Sequence, residues 1–380
     1  MENRARIIIT GDTHLGGGRV ENLAEENDAQ QLFGDFLPFI KAADLAITNL
    51  ESPVIDRGEP IQKTGPNLKS STRTTGVLKR AGFDLVTLAN NHIMDYGSGG
   101  LKSTLEACKK NGIDTVGAGD SLEQAKKPYI CEIGGIRLSV INIAENEFGT
   151  TQNSTPGCHP LDPVQNFNTI RNAKEGADRV IVIVHGGHEH YELPSPRMKK
   201  TYRFFVDSGA DAVIGHHTHC ISGYEVYNRA PIFYSLGNFL FDMNNRENSL
   251  TDPWNVGMFA ELFLSKSDLD FKVHFYTQNA VDPGLSKLGK ADQKVVENII
   301  SELNLVIQDD DALEKRFDEF CSKSKRRYSA YIEPHSIRVL HALRNRNLLP
   351  SLLTNKKKRL LLNLTRCEAH RDVLIKTLIS

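Results

Sequence analysis

What most constrains this chain is a repeated junction. Five times, an apolar run of strand length gives way at once to side chains able to bind a metal. The run IIIT leads into Gly11-Asp12-Thr13-His14, LAIT into Asn49-Leu50-Glu51-Ser52, and LVTLA into Asn90-Asn91-His92. VIVIV leads into His185-Gly186-Gly187-His188-Glu189-His190, and AVI into Gly215-His216-His217-Thr218-His219. In an open α/β sheet, sites form outside the carboxyl ends of the strands, so these junctions can converge in space. Asp12-x-His14 alone fits an ordinary loop; the serial repetition carries the reading.

The rest of the pattern supports such a sheet. The β-rich runs ARIIIT, DLAITN, FDLVTLA, RLSVINIA, RVIVIVH and DAVIG alternate with amphipathic stretches such as DAQQLFGDFLPFIKAA, TTGVLKRAG, GLKSTLEACKKNG and RMKKTYRFFVDSG. Gly82, Gly112 and Gly209 follow helical stretches, where left-handed caps are expected. The early strands read as buried and parallel, and PIFYSLG, MFAELFLS and FKVHFYT as a more antiparallel tail from about 231 to 278. From about 285 the periodicity is helical, including DQKVVENIISELNLVI, SIRVLHALRN and the KKKRLLLNLTRCEAHRDVLIKTLI end. The expected organisation is an α/β domain over 1–284 and a basic helical region over 285–380.

Ligand chemistry narrows the function. Imidazole plus carboxylate, without thiolate pairs, suits Zn, Mn, Fe or similar divalent ions. Asp12, His14, Glu51, Asn91, His185, His217 and His219 exceed the needs of one tetrahedral ion, which argues for two ions sharing a carboxylate. In extended backbone, residues two apart point the same way, so His217 and His219 would face together and His216 away. His159, His274, His335, His341 and His370 stand apart from these groups and read as surface or hydrogen-bonded residues. Cys220 reads as a small buried hydrophobe, and Gly16-Gly17-Gly18 as a turn that lacks the Lys-Ser/Thr of a P-loop.

Charge is uneven. The net charge is -1, yet residues 321–380 carry +11 and the remainder -12. The basic end holds Arg326-Arg327 and Lys356-Lys357-Lys358-Arg359, the latter just before three leucines. Such runs on helices are usually solvated faces, and few aromatics accompany them, which speaks against nucleic acid; an anionic membrane surface or partner is the lesser alternative. The six cysteines are scattered without a CxxC pair. No run approaches the ~18 apolar residues of a transmembrane helix, and MENRARIIITGD is too short in apolar residues for a signal peptide. A cytoplasmic, or at most membrane-peripheral, protein is expected.

The order of these motifs resembles that of the calcineurin-like metallophosphoesterases. It is most similar to their CapA branch, proteins of capsule and poly-gamma-glutamate synthesis. The strings that carry the likeness are NLESPV (49–54), TLANNHIMDYGSGGL (87–101), HGGHE (185–189), IGHHTH (214–219) and IFYSLGNFLFD (232–242). The resemblance implies a four-layer α/β/β/α sandwich with ligands on loops at one sheet edge. By motif, Asp12, His14, Glu51 and His219 would hold one ion, and Glu51, Asn91, His185 and His217 the second. His92 would be the catalytic histidine, a proton donor or charge stabiliser at the leaving group. Asn49, Asn90, Asp95, Glu189, His216 and Asn238 would support the ligands or line the substrate rim. Two ions about 3.5–4 Å apart activate a water and clamp a phosphoryl group.

The chain departs from that pattern in several places. Glu51 stands where the phosphoesterases carry the bridging Asp, His14 is present where many CapA-like chains lack it, Gly186 replaces a tryptophan, and His190 is an extra residue. The implied function is a metal-dependent hydrolase of the phosphoesterase type in bacterial capsule or exopolymer synthesis. The alternative is a non-catalytic metal-binding component of a polymer synthesis complex, holding an anionic polymer beside other synthesis proteins.

Overall fold

The computed structural model describes residues 4–151, 153–242, 252–279, 282–332 and 354–379. The helix expected in SIRVLHALRN, with His335 and His341, lies outside the described residues, as do the side chains of Arg326 and Arg327. Two sheets carry the fold. The first contains β1 (Ala5–His14), β2 (Leu45–Leu50), β3 (Leu85–Thr87), β4 (Asp114–Val116), β13 (Asn238–Phe241), β14 (Val256–Leu264), β15 (Leu269–Gln278) and β16 (Leu285–Lys287). Its order is β16-β15-β14-β1-β2-β3-β4, with β13 also paired to β1. The second contains β6 (Tyr129–Ile133), β7 (Ile136–Ala144), β9 (Arg179–His185), β10 (Ala212–His216), β11 (Tyr224–Tyr227) and β12 (Ala230–Phe233), in the order β11-β12-β10-β9-β7-β6. A small ribbon pairs β5 (Ala118–Gly119) with β8 (Gly157–Cys158).

The layering follows from the apolar faces. Along β1, Ile7 and Ile9 pack between the sheets with Leu138, Val140 and Val182, while Ile8 faces the opposite way. Ile8, Ala46 and Val86 pack with α1 (Gly18–Glu25), α2 (Ala29–Phe33), α3 (Leu37–Lys41), α4 (Thr75–Ala81) and α5 (Gly97–Lys110). A short helix, α6 (Leu122–Ala125), sits beside β5. On the outside of the second sheet lie α7 (Pro163–Gly176) and α8 (Pro196–Asp207). Strands buried on both faces need apolar side chains in both registers, which is why β9 reads as a continuous Val/Ile run. The result is an α/β/β/α sandwich.

Local chemistry sets the element ends. Asp162 caps α7 by accepting from Val164 N and Gln165 N, and Ser195 caps α8 from Met198 N, each with Pro at the next position. Gly82, Gly112 and Gly209 all adopt positive φ, as expected of helix ends. The stretch DAQQLFGDFLPFIKAA breaks into α2, a 3-10 turn and α3, because Gly34 takes φ 45° and Pro38 follows.

The antiparallel tail is only partly antiparallel. β14 and β15 run antiparallel as expected, but β12 is parallel to β10 and β13 parallel to β1. The chain crosses between the sheets at Leu236-Gly237, where Gly237 has φ 70°. There Asp12 N donates to Gly237 O (3.0 Å), and a Cβ on Gly11 would stand 2.0 Å from that oxygen. The two sheets therefore meet closely at the end where the ligand loops emerge.

Beyond β16 the chain is helical: α9 (Lys290–Gln308), α10 (Asp310–Ile332), α11 (Asn355–Arg366) and α12 (Glu368–Ile379). α9 packs on β11, and α10 on α8, α11 and α12. Phe317, Cys321, Leu364, Val373 and Leu374 form a separate small core. Among the described residues no helix is long and apolar enough to cross a membrane.

Candidate metal centre

The five junctions converge. β1, β2 and β3 are parallel, as are β7, β9 and β10, and their carboxyl ends share one edge of the sandwich. Asp12, Glu51, His185, His217 and His219 are all buried there. Asp12, Glu51 and His219 form one group whose ligand atoms lie within 4.8 Å of one another, and Glu51, His185 and His217 form a second. Glu51 belongs to both. Its Oε1 lies 3.5 Å from His185 Nε2 and 3.7 Å from His219 Nε2. His219 Nδ1 lies 3.7 Å from Asp12 Oδ2. His185 Nε2 faces His217 Nδ1 at 3.1 Å and Asn91 Oδ1 at 3.0 Å.

Three observations fit divalent ions at this place. Both carboxylate oxygens of Glu51 are buried without a hydrogen-bond partner, as is Nδ1 of His14. A native chain rarely leaves a buried carboxylate unpartnered, because the desolvation cost is then uncompensated. Imidazole nitrogens also face one another across a short gap, which a shared cation resolves and two lone pairs do not. The donor set of histidine and carboxylate is that of Zn, Mn or Fe.

The electrostatics point the same way. Burial, then the charge of Asp12, holds the Glu51 carboxyl well above its ordinary value. Burial, then His217, holds His185 well below the ordinary imidazole value. Burial likewise lowers His219 to about 4 and His14 to about 3. Neutral imidazoles are the form that binds metal.

His14 stands beside this centre, its ring 5.0 Å from that of Phe241, but it joins neither group of three. His217 and His219 do face inward, though not through extended backbone. Both take left-handed conformations, φ 93° and 57°. His216 is the last residue of β10 and turns the other way, its Nε2 3.0 Å from Thr10 O.

The surrounding polar residues hold the ligands. Asn49 Nδ2 donates to Asp12 Oδ1 (2.7 Å), and Asn90 Nδ2 to Asn49 Oδ1 (3.2 Å) and Leu50 O (2.9 Å). Asn238 Oδ1 lies 2.9 Å from His219 Nδ1. His92 Nδ1 donates to Asp95 Oδ2 (2.7 Å), while Lys63 Nζ ion-pairs with the other Asp95 oxygen. Burial lowers the pKa of His92, opposed by its hydrogen bond to Asp95. Glu189 is exposed at the rim.

Several residues escaped the sequence reading. Lys63 has a side chain only 2% exposed, and nothing before it marks a strand end. Glu147 lies 3.1 Å from His370 Nε2; burial raises its carboxyl, but His370 and His217 overcome this and bring it to about 2. A signal existed for Glu147, since RLSVINIA runs into Glu145-Asn146-Glu147 as a sixth strand-end junction. His370, expected to be a surface or hydrogen-bonded residue, is hydrogen-bonded, as are His159 and His274, but it also lines the cavity beside Asn91, His92 and His217. Trp254 packs on His219 with ring centroids 4.8 Å apart. Gly186 leaves room for Glu145, whose Cγ would lie 2.7 Å from a Cβ there.

Fold and site together define an α/β/β/α protein with paired histidine–carboxylate groups sharing one glutamate at the sheet edge. More particularly, residues 6–243 match the family described as bacterial capsule synthesis protein PGA_cap, and the chain belongs to that family. It is similar to the PGA biosynthesis protein CapA of Bacillus subtilis, 37% identical over 239 residues, 62% of each chain. It is also similar to the capsule biosynthesis protein CapA of Bacillus anthracis, 33% identical over 245 residues, 62% of this chain and 59% of that one. The match thus spans less than two thirds of either relative's length. Among solved structures, a hypothetical protein from Thermus thermophilus overlaps 72% of this chain and 99% of its own, with 16% identity and a TM-score of 0.45.

Proposed function

We propose that the chain is a metal-dependent phosphoesterase serving the synthesis of a bacterial surface polymer. The observation that carries the reading is Glu51, shared by two ligand groups with both oxygens unpartnered. Asp12, Glu51 and His219 would hold one ion, and Glu51, His185 and His217 the other, with Asn91 beside the second and His14 near the first. Divalent ions there supply a Lewis acid for phosphoryl oxygens and a lowered pKa for an attacking water.

The chain's own residues do the rest. Water's oxygen bonds to phosphorus as the P–O bond to the leaving group breaks, and a proton passes to the leaving oxygen. His92, oriented through Nδ1 by Asp95, presents its other nitrogen for that proton. Its lowered pKa keeps it neutral in the resting site, and a phosphoryl dianion beside it would raise that pKa. Asn49, Asn90 and Asn238 fix the ligand loops, so little reorganisation is needed.

The link to polymer synthesis rests on family membership and on relatives named for capsule and PGA biosynthesis. Other synthesis proteins are the expected partners. The basic start of α11 offers exposed Lys356 and Lys358 to an anionic surface; of the three leucines that follow, only Leu362 is strongly exposed. The test is metal content of the purified chain, then turnover of phosphomonoesters and phosphodiesters with Mn or Zn. Absence of metal, or full turnover in an Asp12→Ala/His217→Ala variant, overturns the reading. Bound metal with no turnover would establish the non-catalytic role instead.

A further inference from the structure

The helices beyond the matched family region build the far wall of the site. A cavity of about 280 Å³ opens beside Asn91, His92 and His217. Opposite them it is lined by Phe320 of α10, Leu360, Asn363 and Leu364 of α11, and His370 of α12. Leu360, Asn363 and Leu364 are spaced i, i+3 and i+4, one face of a helix. This face looks into the pocket and the small C-terminal core, not into solvent.

Polar contacts fix the wall at both ends of that face. Arg359 Nη1 donates to Gln62 Oε1 (2.9 Å), and Arg366 Nη2 to Thr150 Oγ1 (2.9 Å). These contacts stand about 10 Å apart along the axis, at 1.5 Å per residue. Glu368 accepts from Asn146 N (3.2 Å) and Nδ2 (2.7 Å), and His370 Nε2 reaches Glu147 Oε1 (3.1 Å). Arg197 of α8 ion-pairs with Glu145 and, through Nε, with Asp372 of α12 (2.6 Å). An extended polymer lying across the strand ends would have to displace α11.

From this closure we infer that the pocket takes a terminal phosphomonoester on a compact, partly apolar group, and excludes the internal diester of a long polymer. The inference rests on the phosphoesterase reading and names its substrate class. Lys63 and His92 give the cavity cationic and hydrogen-bonding groups, and Phe148, Phe320, Leu360 and Leu364 give it apolar lining, with Lys63 Nζ 5.7 Å from the centre of the Phe148 ring. The volume lies just below the usual range for small-ligand pockets, about 300–1,000 Å³, which leaves room for a phosphoryl group and one ring. Hydrolysis of such an ester breaks the P–O bond to the leaving group. Water supplies hydroxyl to phosphorus and a proton to the leaving oxygen.

The experiment uses the metal-loaded full chain and two readouts. Turnover compares 4-nitrophenyl phosphate with bis(4-nitrophenyl) phosphate. Binding compares phenylphosphonate with diphenylphosphinate, neither hydrolysable, through the fluorescence of Trp254, the single tryptophan, which packs on His219. The wild type should favour the monoester and the monoaryl ligand by about tenfold or more. Leu360→Ala/Phe320→Ala should bring both ratios towards unity, Leu360→Phe should weaken phenylphosphonate, and Leu362→Ala, on the exposed face, should change neither. Unchanged ratios in folded, metal-loaded Leu360→Ala/Phe320→Ala and unchanged binding in Leu360→Phe overturn the inference. Selective binding without any turnover would sink the hydrolase reading and leave the closed pocket standing.

Discussion

Replacing Glu51 with Gln should stabilise the metal-free protein and weaken the metal-loaded one. Folding raises the pKa of this carboxyl well above 4.5, by burial first and Asp12 second. An acid raised in this way takes up a proton as the chain folds. It therefore costs stability as the pH climbs from its unfolded value towards its folded one. The cost is about 1.4 kcal/mol per unit, so its ceiling at pH 7 is about 3 kcal/mol. Glutamine pays none of it, and its amide can donate towards His219 Nε2, which lies 3.7 Å from the present Oε1. At roughly 2 °C per kcal/mol for a chain of this size, Glu51→Gln in EDTA should melt up to roughly 6 °C higher at pH 7 and close to the wild type at pH 5. Saturating metal should reverse the order, since a ligand at a thousand times its Kd adds about 4 kcal/mol, and the variant loses the negative carboxylate that both ligand groups share. Differential scanning calorimetry with and without Mn or Zn reads both effects. A variant that melts below the wild type in EDTA at every pH would refute the argument.

The three adjacent histidines should separate by metal content. His217→Ala or His219→Ala should lose bound metal by elemental analysis, whereas His216→Asn should keep it and lose about 1–2 kcal/mol of stability with its bond to Thr10 O. Metal uptake near neutral pH should release a proton from Glu51, so affinity should rise by up to about tenfold per pH unit. Calorimetry in buffers of different ionisation enthalpy measures that proton, and Glu51→Gln should abolish it. The His370–Glu147 contact should loosen in alkali. Burial lowers the pKa of His370, but the Glu147 carboxylate overcomes this and raises it above 6.5. Its contribution is therefore complete below pH 6.5 and disappears as the pH rises through the raised value. Hydrogen exchange of α11 and α12 should quicken at pH 9 by about 1 kcal/mol relative to pH 6, and His370→Gln should show no such change.

The strand-end clusters were legible because a parallel sheet delivers every carboxyl end to one edge, whatever the loops do next. Asp12, Glu51, His185 and His219 needed only that rule. The orientation of the histidines needed more. Strand alternation accounts for His216, which is still in β10, but not for His217 and His219, which turn inward through positive φ. Lys63 and His370 were not legible for a different reason. Each reaches the site by tertiary contact, Lys63 through Asp95 and His370 through Glu147, and neither belongs to a periodic element ending there.

Gly186, next to the ligand His185, is tied by this geometry to the C-terminal helices. Gly186 leaves space that the Glu145 side chain occupies. Glu145 uses that position to accept from Gly187 N (3.1 Å) and to pair with Arg197. Arg197 then reaches Asp372, and His188 Nε2 lies 2.9 Å from Ala369 O, so both contacts end on α12. A bulky side chain at 186 would displace Glu145 and remove the anchor on which α12 is seated. The small residue beside the ligand and the docked C-terminal helices are therefore one arrangement: the wall that a loop side chain would provide is supplied from much further along the chain, by Leu360, Leu364 and His370.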